Sequence, residues 1–167
     1  MKTRKLATLS LLLAMQVALS FFFIPVGTNL RIYFTFIIMM FVASEYSLPT
    51  VIIYGIAEDL ISFFIYPTGP FFIGYTLTTV LSMVIYWIFL HKEVNLLNIT
   101  LGKLCTNIFA NILLNSLWSY ILYSKGFLYY VTKSLLKNLL MLPIEIIIFY
   151  LLYKFIKRLY DHHDKRA

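Results

Sequence analysis

Polar side chains recur along one stretch of an otherwise apolar sequence, and their spacing suits the binding of a ligand. Asn107, Asn111, Asn115 and Trp118 follow one another at intervals of four, four and three residues. At 100° per residue these positions fall within an arc of about 80° on one helical face. Amide groups are unfavourable against lipid, so the stripe faces protein or a cavity. It is typical either of hydrogen bonds between helices or of the polar wall of a binding pocket.

A second polar group surrounds the acidic pair Glu58 and Asp59. Carboxylates inside a membrane usually have a function, and the alternative is pairing with a buried lysine or a backbone group. A predicted turn with two prolines, Pro67 and Pro70, follows, and Phe72 and Tyr75 lie at the start of the next apolar stretch. Such aromatic residues are typical of a belt at the membrane interface or of a surface for a flat ring.

The sequence offers little for catalysis. His91 lies in a polar link, and His162 and His163 lie in a charged tail. Cys105 has no histidine near it in sequence and is typical of a small packing residue. The chain has no residue cluster at metal-ligand spacing and no phosphate-binding G-x-x-x-x-G-K-[ST] motif. We therefore expect a protein that is not an enzyme, needs no metal or cofactor, and cannot hydrolyse ATP by a P-loop.

The composition identifies the elements that must position these side chains. Of 167 residues, 61% are hydrophobic and 13% are charged, whereas a soluble domain is about 45–50% apolar and about 25% charged. A soluble fold of this size could not bury so much apolar surface, and disorder requires low hydrophobicity. One cysteine excludes a disulfide-stapled domain. The composition predicts an all-α, polytopic membrane protein.

Six apolar stretches are predicted to cross the membrane and to form one domain over residues 1–167. The first begins like a signal peptide, but it continues to Ile24 without a small-residue cleavage site and is predicted to be a retained helix. Pro25 ends it, and Pro67 and Pro70 end the third stretch. The predicted spans are 6–24, 30–44, 49–66, 71–89, 100–123 and 135–159.

Six spans place both termini on one side, predicted to be the cytoplasmic side, and the net charge of +7 is distributed accordingly. The inner side or its margin holds ten cations: Lys2, Arg4, Lys5, Lys92, Lys103, Lys154, Lys157, Arg158, Lys165 and Arg166. The outer side holds four: Arg31, Lys125, Lys133 and Lys137. This follows the positive-inside rule and disfavours nucleic acid as a partner. The outer cations indicate a site for an anion, unless they extend to lipid headgroups.

Small residues form a stripe on the first span at helical spacing: Ala7, Ser10, Ala14 and Ala18. Small residues let helix backbones approach closely in lipid. The stripe is typical either of packing within the chain or of a docking face for another membrane subunit.

These features together resemble the S components of energy-coupling factor (ECF) vitamin transporters, most narrowly the folate-specific ones. The matching stretches are Asn29–Ile32, Tyr66–Pro70, Gly74–Leu77, Leu114–Trp118 and Lys137–Ile144. The resemblance implies a protein of the bacterial cell membrane that captures folate outside. It would dock, through Ala14 and Ala18, on a T component carrying two ABC-type ATPases. Loops near Pro25–Arg31 and Pro67–Pro70 would act as gates.

The chemistry of folate suggests roles for the polar and aromatic residues. Trp118, Phe72 and Tyr75 suit the flat pterin, whose edge suits Asn111, Asn115 or Asp59. Arg31, or Lys133 with Lys137 at i,i+4, suits the two glutamate carboxylates. The full predicted substrate set is Arg31, Tyr33, Asp59, Tyr66, Pro67, Gly69, Phe72, Tyr75, Asn111, Asn115, Trp118, Lys133 and Lys137.

Two other functions fit the same sequence. One is an S component for another vitamin, and the other is a structural membrane protein without a transported ligand. A membrane enzyme is disfavoured because the residue groups that catalysis requires are missing.

Overall fold

A computed structural model describes residues 2–26, 30–67, 69–123 and 126–164, with residues 2, 25–26, 30–32 and 159–164 described by their backbone alone. The predicted cations Lys125, Lys165 and Arg166 lie outside the described residues. The elements in chain order are α1 (Lys2–Phe21), β1 (Phe23–Val26), β2 (Leu30–Tyr33), α2 (Phe36–Glu45), α3 (Leu48–Ile65), α4 (Ile73–Leu90), α5 (Leu96–Thr106), a π-helical segment (Asn107–Leu114), α6 (Asn115–Tyr123) and α7 (Phe127–Asp164).

Five helices in the described part of the chain are long and apolar enough to cross a membrane. They are Thr3–Phe21, Leu48–Ile65, Ile73–Leu90, Leu96–Tyr123 and Phe127–Arg158. Each overlaps one predicted span, and the protein is a multi-pass membrane protein. The last helix begins at Phe127 rather than at residue 135, so Lys133 lies on a helix. Its 38 residues extend about 57 Å and exceed a hydrocarbon core of about 30 Å.

The predicted helix over residues 30–44 is wrong in its first part. Leu30–Tyr33 pairs antiparallel with Phe23–Val26, so a β-hairpin replaces the end of the first predicted span and the start of the second. Aromatic and β-branched residues favour strands here. Pairing between the two strands provides hydrogen bonds for backbone N–H and C=O groups that are no longer part of a helix. The remaining helix, α2, has ten residues and is about 15 Å long, which is too short to cross alone.

The apolar core lies at the end of the bundle away from the hairpin. Val42, Val51, Met83, Ile99 and Phe149 are all at most 1% exposed, and each lies in the part of its helix that is farther from the hairpin. At the other end, the Phe21 ring contacts the Tyr66 ring with centroids 5.6 Å apart. The hairpin and the α3–α4 loop therefore meet at one end, which we call the hairpin end.

Candidate ligand-binding site

A cavity of about 890 Å³ lies among α2, α3, α4, α5, α6 and α7. Its volume is within the range of about 300–1,000 Å³ that is typical of small-molecule sites. Tyr66 and Gly69 border it at the hairpin end, and Tyr86 and Lys103 border it at the core end. The cavity thus extends through much of the bundle, and its walls come from helices far apart in sequence.

The cavity brings together most of the predicted substrate residues. Those that line it are Tyr33, Asp59, Tyr66, Gly69, Phe72, Tyr75, Asn111, Asn115, Lys133 and Lys137. Pro67 and Trp118 are described but are not among the lining residues. Arg31 pairs with Pro25 across the hairpin through its backbone, and its side chain lies outside the described part of the chain.

The acidic pair contributes two separate groups to the cavity. The Asp59 carboxylate accepts hydrogen bonds from Thr76 Oγ1 at 2.6 Å and Thr79 Oγ1 at 3.4 Å, both on α4. Glu58 is 8% exposed and accepts a hydrogen bond from Ser62 Oγ at 3.1 Å. Because neighbours on a helix point about 100° apart, the two carboxylates reach the cavity at different places. Asp59 has its own α4 donors and keeps lone pairs for a ligand.

The aromatic side chains form two layers. The Phe72 ring lines the cavity, and Trp118 lies behind it with ring centroids 5.4 Å apart. Trp118 Nε1 donates a hydrogen bond to Thr78 Oγ1 at 2.9 Å. Tyr75 also lines the cavity, and its ring meets Phe72 edge to face at 6.1 Å. Phe72 and Tyr75 therefore offer the nearer aromatic surface.

A π-helical segment, Asn107–Leu114, interrupts the helix that carries the asparagine stripe. Its i→i+5 pattern rotates the face beyond it relative to an α-helix. Asn111 and Asn115 line the cavity, whereas Asn107 is 3% exposed and accepts a hydrogen bond from Asn111 Nδ2 at 2.9 Å. Asn111 and Asn115 therefore belong to the polar wall, one of the two predicted roles, whereas the bond between Asn107 and Asn111 lies within one helix and not between helices.

Three further residues on either side of the segment line the cavity, although the predicted stripe did not include them. Thr106, Ser116 and Ser119 line the cavity beside Asn115. Thr106 Oγ1, Ser116 Oγ and Asn115 Oδ1 are buried and have no hydrogen-bond partner among the described residues. Buried polar atoms are normally paired, so this region is suited to a polar ligand group or to water.

Two lysines on α7 line the cavity one helical turn apart, as the i,i+4 spacing predicts. Lys133 Nζ lies 4.7 Å from the centroid of the Tyr129 ring. Among the described side chains, no carboxylate lies within ion-pair distance of Lys133 or Lys137. Their charges are therefore available to an anion.

Lys103 differs from its predicted place at the cytoplasmic margin. It is 3% exposed inside the bundle, and its Nζ lies 2.9 Å from Glu145 Oε2 on α7. The Nζ also lies 3.4 Å from the Tyr86 hydroxyl and 4.7 Å from the centre of the Phe36 ring. Lys103 is buried although it borders the cavity, and the carboxylate of Glu145 compensates its charge. Glu145 thus pairs with a lysine of this chain.

The small-residue stripe of α1 faces outward. Ala7, Ser10, Ala14 and Ala18 are all exposed, whereas Gln16 and Val17 are buried. The Gln16 Oε1 atom accepts a hydrogen bond from the Tyr54 hydroxyl at 2.9 Å. The inner face of α1 is therefore a different one, and packing within this chain does not explain the stripe.

Two relatives of the chain are named folate transporter FolT. The protein from Leuconostoc mesenteroides subsp. mesenteroides is 32% identical over 158 residues, which are 90% of this chain and 84% of the relative. The protein from Clostridium novyi is 31% identical over 108 residues, 64% of this chain and 63% of the relative. A crystal structure of FolT bound with folic acid matches with a TM-score of 0.81 and 27% identity, covering 90% of this chain and 92% of that chain. No family model matches.

The likeness to FolT confirms the predicted all-α membrane fold and the predicted resemblance to folate-specific transporters. Both relatives are named as transporters, in agreement with the prediction of a transport protein rather than an enzyme. The match to the Leuconostoc protein exceeds 30% identity and extends over most of both chains. The chain therefore belongs to the FolT family of folate transporters.

Proposed function

We propose that this chain binds folate in the cavity and acts as the substrate-binding S component of an ECF importer. The observation that carries the proposal is the lining of the cavity by aromatic rings, by buried polar atoms and by two lysines. Among the described residues, these polar atoms have no hydrogen-bond partner and these lysines have no carboxylate within ion-pair distance. Folate has the matching parts, a flat pterin, an aromatic linker and a glutamate with two carboxylates. The likeness to a FolT structure that contains folic acid supports the same ligand.

Each part of folate has candidate partners on the lining. Phe72 and Tyr75 offer ring faces and edges for the pterin or the linker. Asp59 and Asn115 offer acceptors for the pterin N–H groups, and Lys133 and Lys137 offer charge-assisted hydrogen bonds to the carboxylates. Arg31 stays a proposed partner for the same carboxylates. Tyr66, Pro67 and Gly69 belong to the proposed gate at the hairpin end.

The direct test is the identity and affinity of the ligand. The purified protein is analysed by mass spectrometry for released small molecules and is then titrated with folic acid, thiamin and pantothenate. We expect a released folate and tight binding of folic acid alone. Tight binding of another vitamin would replace folate in the proposal. No bound vitamin and no binding in titration would favour a structural membrane protein.

We also propose that transport requires docking on a T component with two ATPases. The sequence has no P-loop of its own, and Ala14 and Ala18 lie exposed on α1. Small exposed residues on a membrane helix allow close approach by a partner helix. Ala14→Trp and Ala18→Trp should abolish folate uptake and leave folic acid affinity unchanged. Leu139→Trp, at a site on α7 that is 66% exposed, is the matched control and should transport normally.

We also propose that the protein lies in the bacterial cell membrane with both termini in the cytoplasm. Lys154, Lys157 and Arg158 lie near the C-terminal end of α7, where the positive-inside rule places the cytoplasm. A reporter that fluoresces only in the cytoplasm, fused after residue 167, should fluoresce. Activity of a periplasm-dependent alkaline phosphatase at the same position would reverse the orientation.

A further inference from the structure

The start of α4 holds an aromatic ring folded back over its own helix. Phe72 precedes the first turn, and Gly74 lies beneath its ring. Trp118, on α6, packs against the same ring, with ring centroids 5.4 Å apart. The three residues meet where α4 and α6 approach each other, and the Phe72 ring alone among them lines the cavity.

Gly74 is the position where a side chain could not be added without moving this ring. A Cβ atom there would overlap Phe72 Cε1 and would lie 2.8 Å from Phe72 Cδ1 and 2.8 Å from Trp118 Cδ2. At Gly55 and Gly102 the nearest atoms would be 3.2 Å and 3.3 Å away. At Gly126 nothing lies within 4 Å. The close approach at Gly74 therefore differs from that at these other glycines.

Hydrogen bonds restrict how the cluster could adjust to an added methyl group. Trp118 Nε1 donates to Thr78 Oγ1 at 2.9 Å, and Thr78 Oγ1 donates to the carbonyl oxygen of Gly74 at 3.1 Å. This chain of bonds ties the indole to the backbone of α4. Phe72 has no such bond, so an added group would displace its ring first.

We infer that Gly74 is a positioning residue for the ligand, because the absence of its side chain places the Phe72 ring at the cavity wall. Trp118 supports that ring from behind, and its contribution to binding passes through Phe72. The inference rests on the proposed function, since it assigns the surface that a planar aromatic part of folate meets. It adds a residue that does not line the cavity itself.

The test uses Trp118 as a local reporter. The chain has two tryptophans, so Trp87→Phe leaves Trp118 as the only source of tryptophan emission. In that background, Gly74→Ala, Phe72→Ala, the double variant and the control Gly126→Ala are compared. Two quantities are measured, the Trp118 emission of the ligand-free protein and the dissociation constant for folic acid.

We expect Gly74→Ala to shift the Trp118 emission and to weaken folic acid binding about tenfold or more, the size of a lost stacking contact. Gly126→Ala should change neither quantity. In the Phe72→Ala background, Gly74→Ala should weaken binding by no more than about twofold, because coupled residues are not additive. Unchanged emission and affinity in Gly74→Ala, or full additivity in the double variant, would overturn the inference.

Two further outcomes keep the inference separate from the proposed function. If the Trp87→Phe protein and the unmutated chain both fail to bind folic acid, the proposed function is wrong. The emission shift caused by Gly74→Ala, compared with and without the Phe72 ring, still decides whether the methyl group acts through that ring. If Gly74→Ala does not fold, the double variant lacks the nearest overlapping ring and should fold. Failure of the double variant while Phe72→Ala folds would place the cost of the methyl group elsewhere and overturn the inference.

Discussion

The two walls of the cavity satisfy their polar groups in different ways. On the α3–α4 wall, Asp59 accepts hydrogen bonds from Thr76 and Thr79, and Thr78 bonds to Trp118. On the α5–α7 wall, which includes the π-helical segment and α6, the cavity-lining residues Thr106, Asn115 and Ser116 each have a buried polar atom without a hydrogen-bond partner among the described residues. These side chains of the first wall already have partners within the protein, whereas the unpaired atoms of the second wall would gain partners from a ligand.

The two walls therefore differ in function: the hydrogen-bonded groups of the first fix its geometry, and the unpaired groups of the second can bind a ligand. A paired carboxylate has a fixed position and presents its remaining lone pairs at little entropic cost. An unpaired buried hydroxyl or amide costs about 1–3 kcal/mol until something bonds to it. The α5–α7 wall is thus where ligand binding should stabilise the protein most. Lys103 and Glu145 are the exception on that wall, because they neutralise each other.

The largest expected effect comes from breaking the ion pair between Lys103 and Glu145. Glu145→Gln removes the carboxylate and leaves Lys103, which is 3% exposed, without its counter-charge. Loss of one partner of a buried ion pair typically costs about 3–5 kcal/mol of folding free energy. Thermal unfolding in detergent should show a clearly lowered midpoint.

The paired variant Lys103→Met with Glu145→Leu is the control for this experiment. Replacing both charges by apolar side chains of similar size is often neutral or stabilising, so this variant should recover most of the lost stability. A Glu145→Gln protein as stable as the unmutated chain would mean that the ion pair does not stabilise the α5–α7 wall.

The next effect concerns Lys133 and Lys137, which have no carboxylate within ion-pair distance among the described side chains. Lys137→Met should weaken folic acid binding by about 1.5–3 kcal/mol, the usual contribution of a hydrogen bond to a charged group. Pteroic acid lacks the glutamate, so its affinity should change little. Isothermal titration with both ligands measures the difference.

Lys92→Met is the matched control for Lys137→Met, because Lys92 lies exposed in the α4–α5 link. It should leave both affinities unchanged. Equal losses for folic acid and pteroic acid in Lys137→Met would assign Lys137 to the shape of the wall rather than to the glutamate.

Arg31 tests whether the hairpin belongs to the ligand-dependent side of the site. Arg31→Ala should weaken folic acid binding by about 1.5–3 kcal/mol if the guanidinium forms a charge-assisted bond to a carboxylate. The measurement is the same titration, with Arg4→Ala at the start of α1 as the control. Unchanged affinity in Arg31→Ala would remove Arg31 from the site.

The sequence predicts the helices better than it predicts what faces the cavity. Apolar length alone locates five helices, because each must satisfy its backbone within lipid. The strands Phe23–Val26 and Leu30–Tyr33 have a weaker signal, because a short, mainly apolar run can belong to a strand or to the end of a helix. The asparagine stripe assumes 100° per residue, and the π-helical segment changes that angle. The position of Lys103 depends on Glu145, 42 residues later, and the spacing of either residue does not reveal such a pairing.

The smallest expected effect tests whether the α3–α4 wall is preorganised. Thr76→Val removes the 2.6 Å donor to Asp59, and Thr79→Val removes the 3.4 Å donor. Valine keeps the shape of threonine, so each change isolates one hydroxyl. Because the shorter bond has the better geometry, Thr76→Val should weaken folic acid binding by about 1 kcal/mol, and Thr79→Val by clearly less. If both variants bind as tightly as the unmutated chain, the ligand does not depend on a fixed Asp59, and the contrast between the two walls fails. If Thr79→Val has the larger effect, Asp59 is held mainly from the second position, one turn closer to the core.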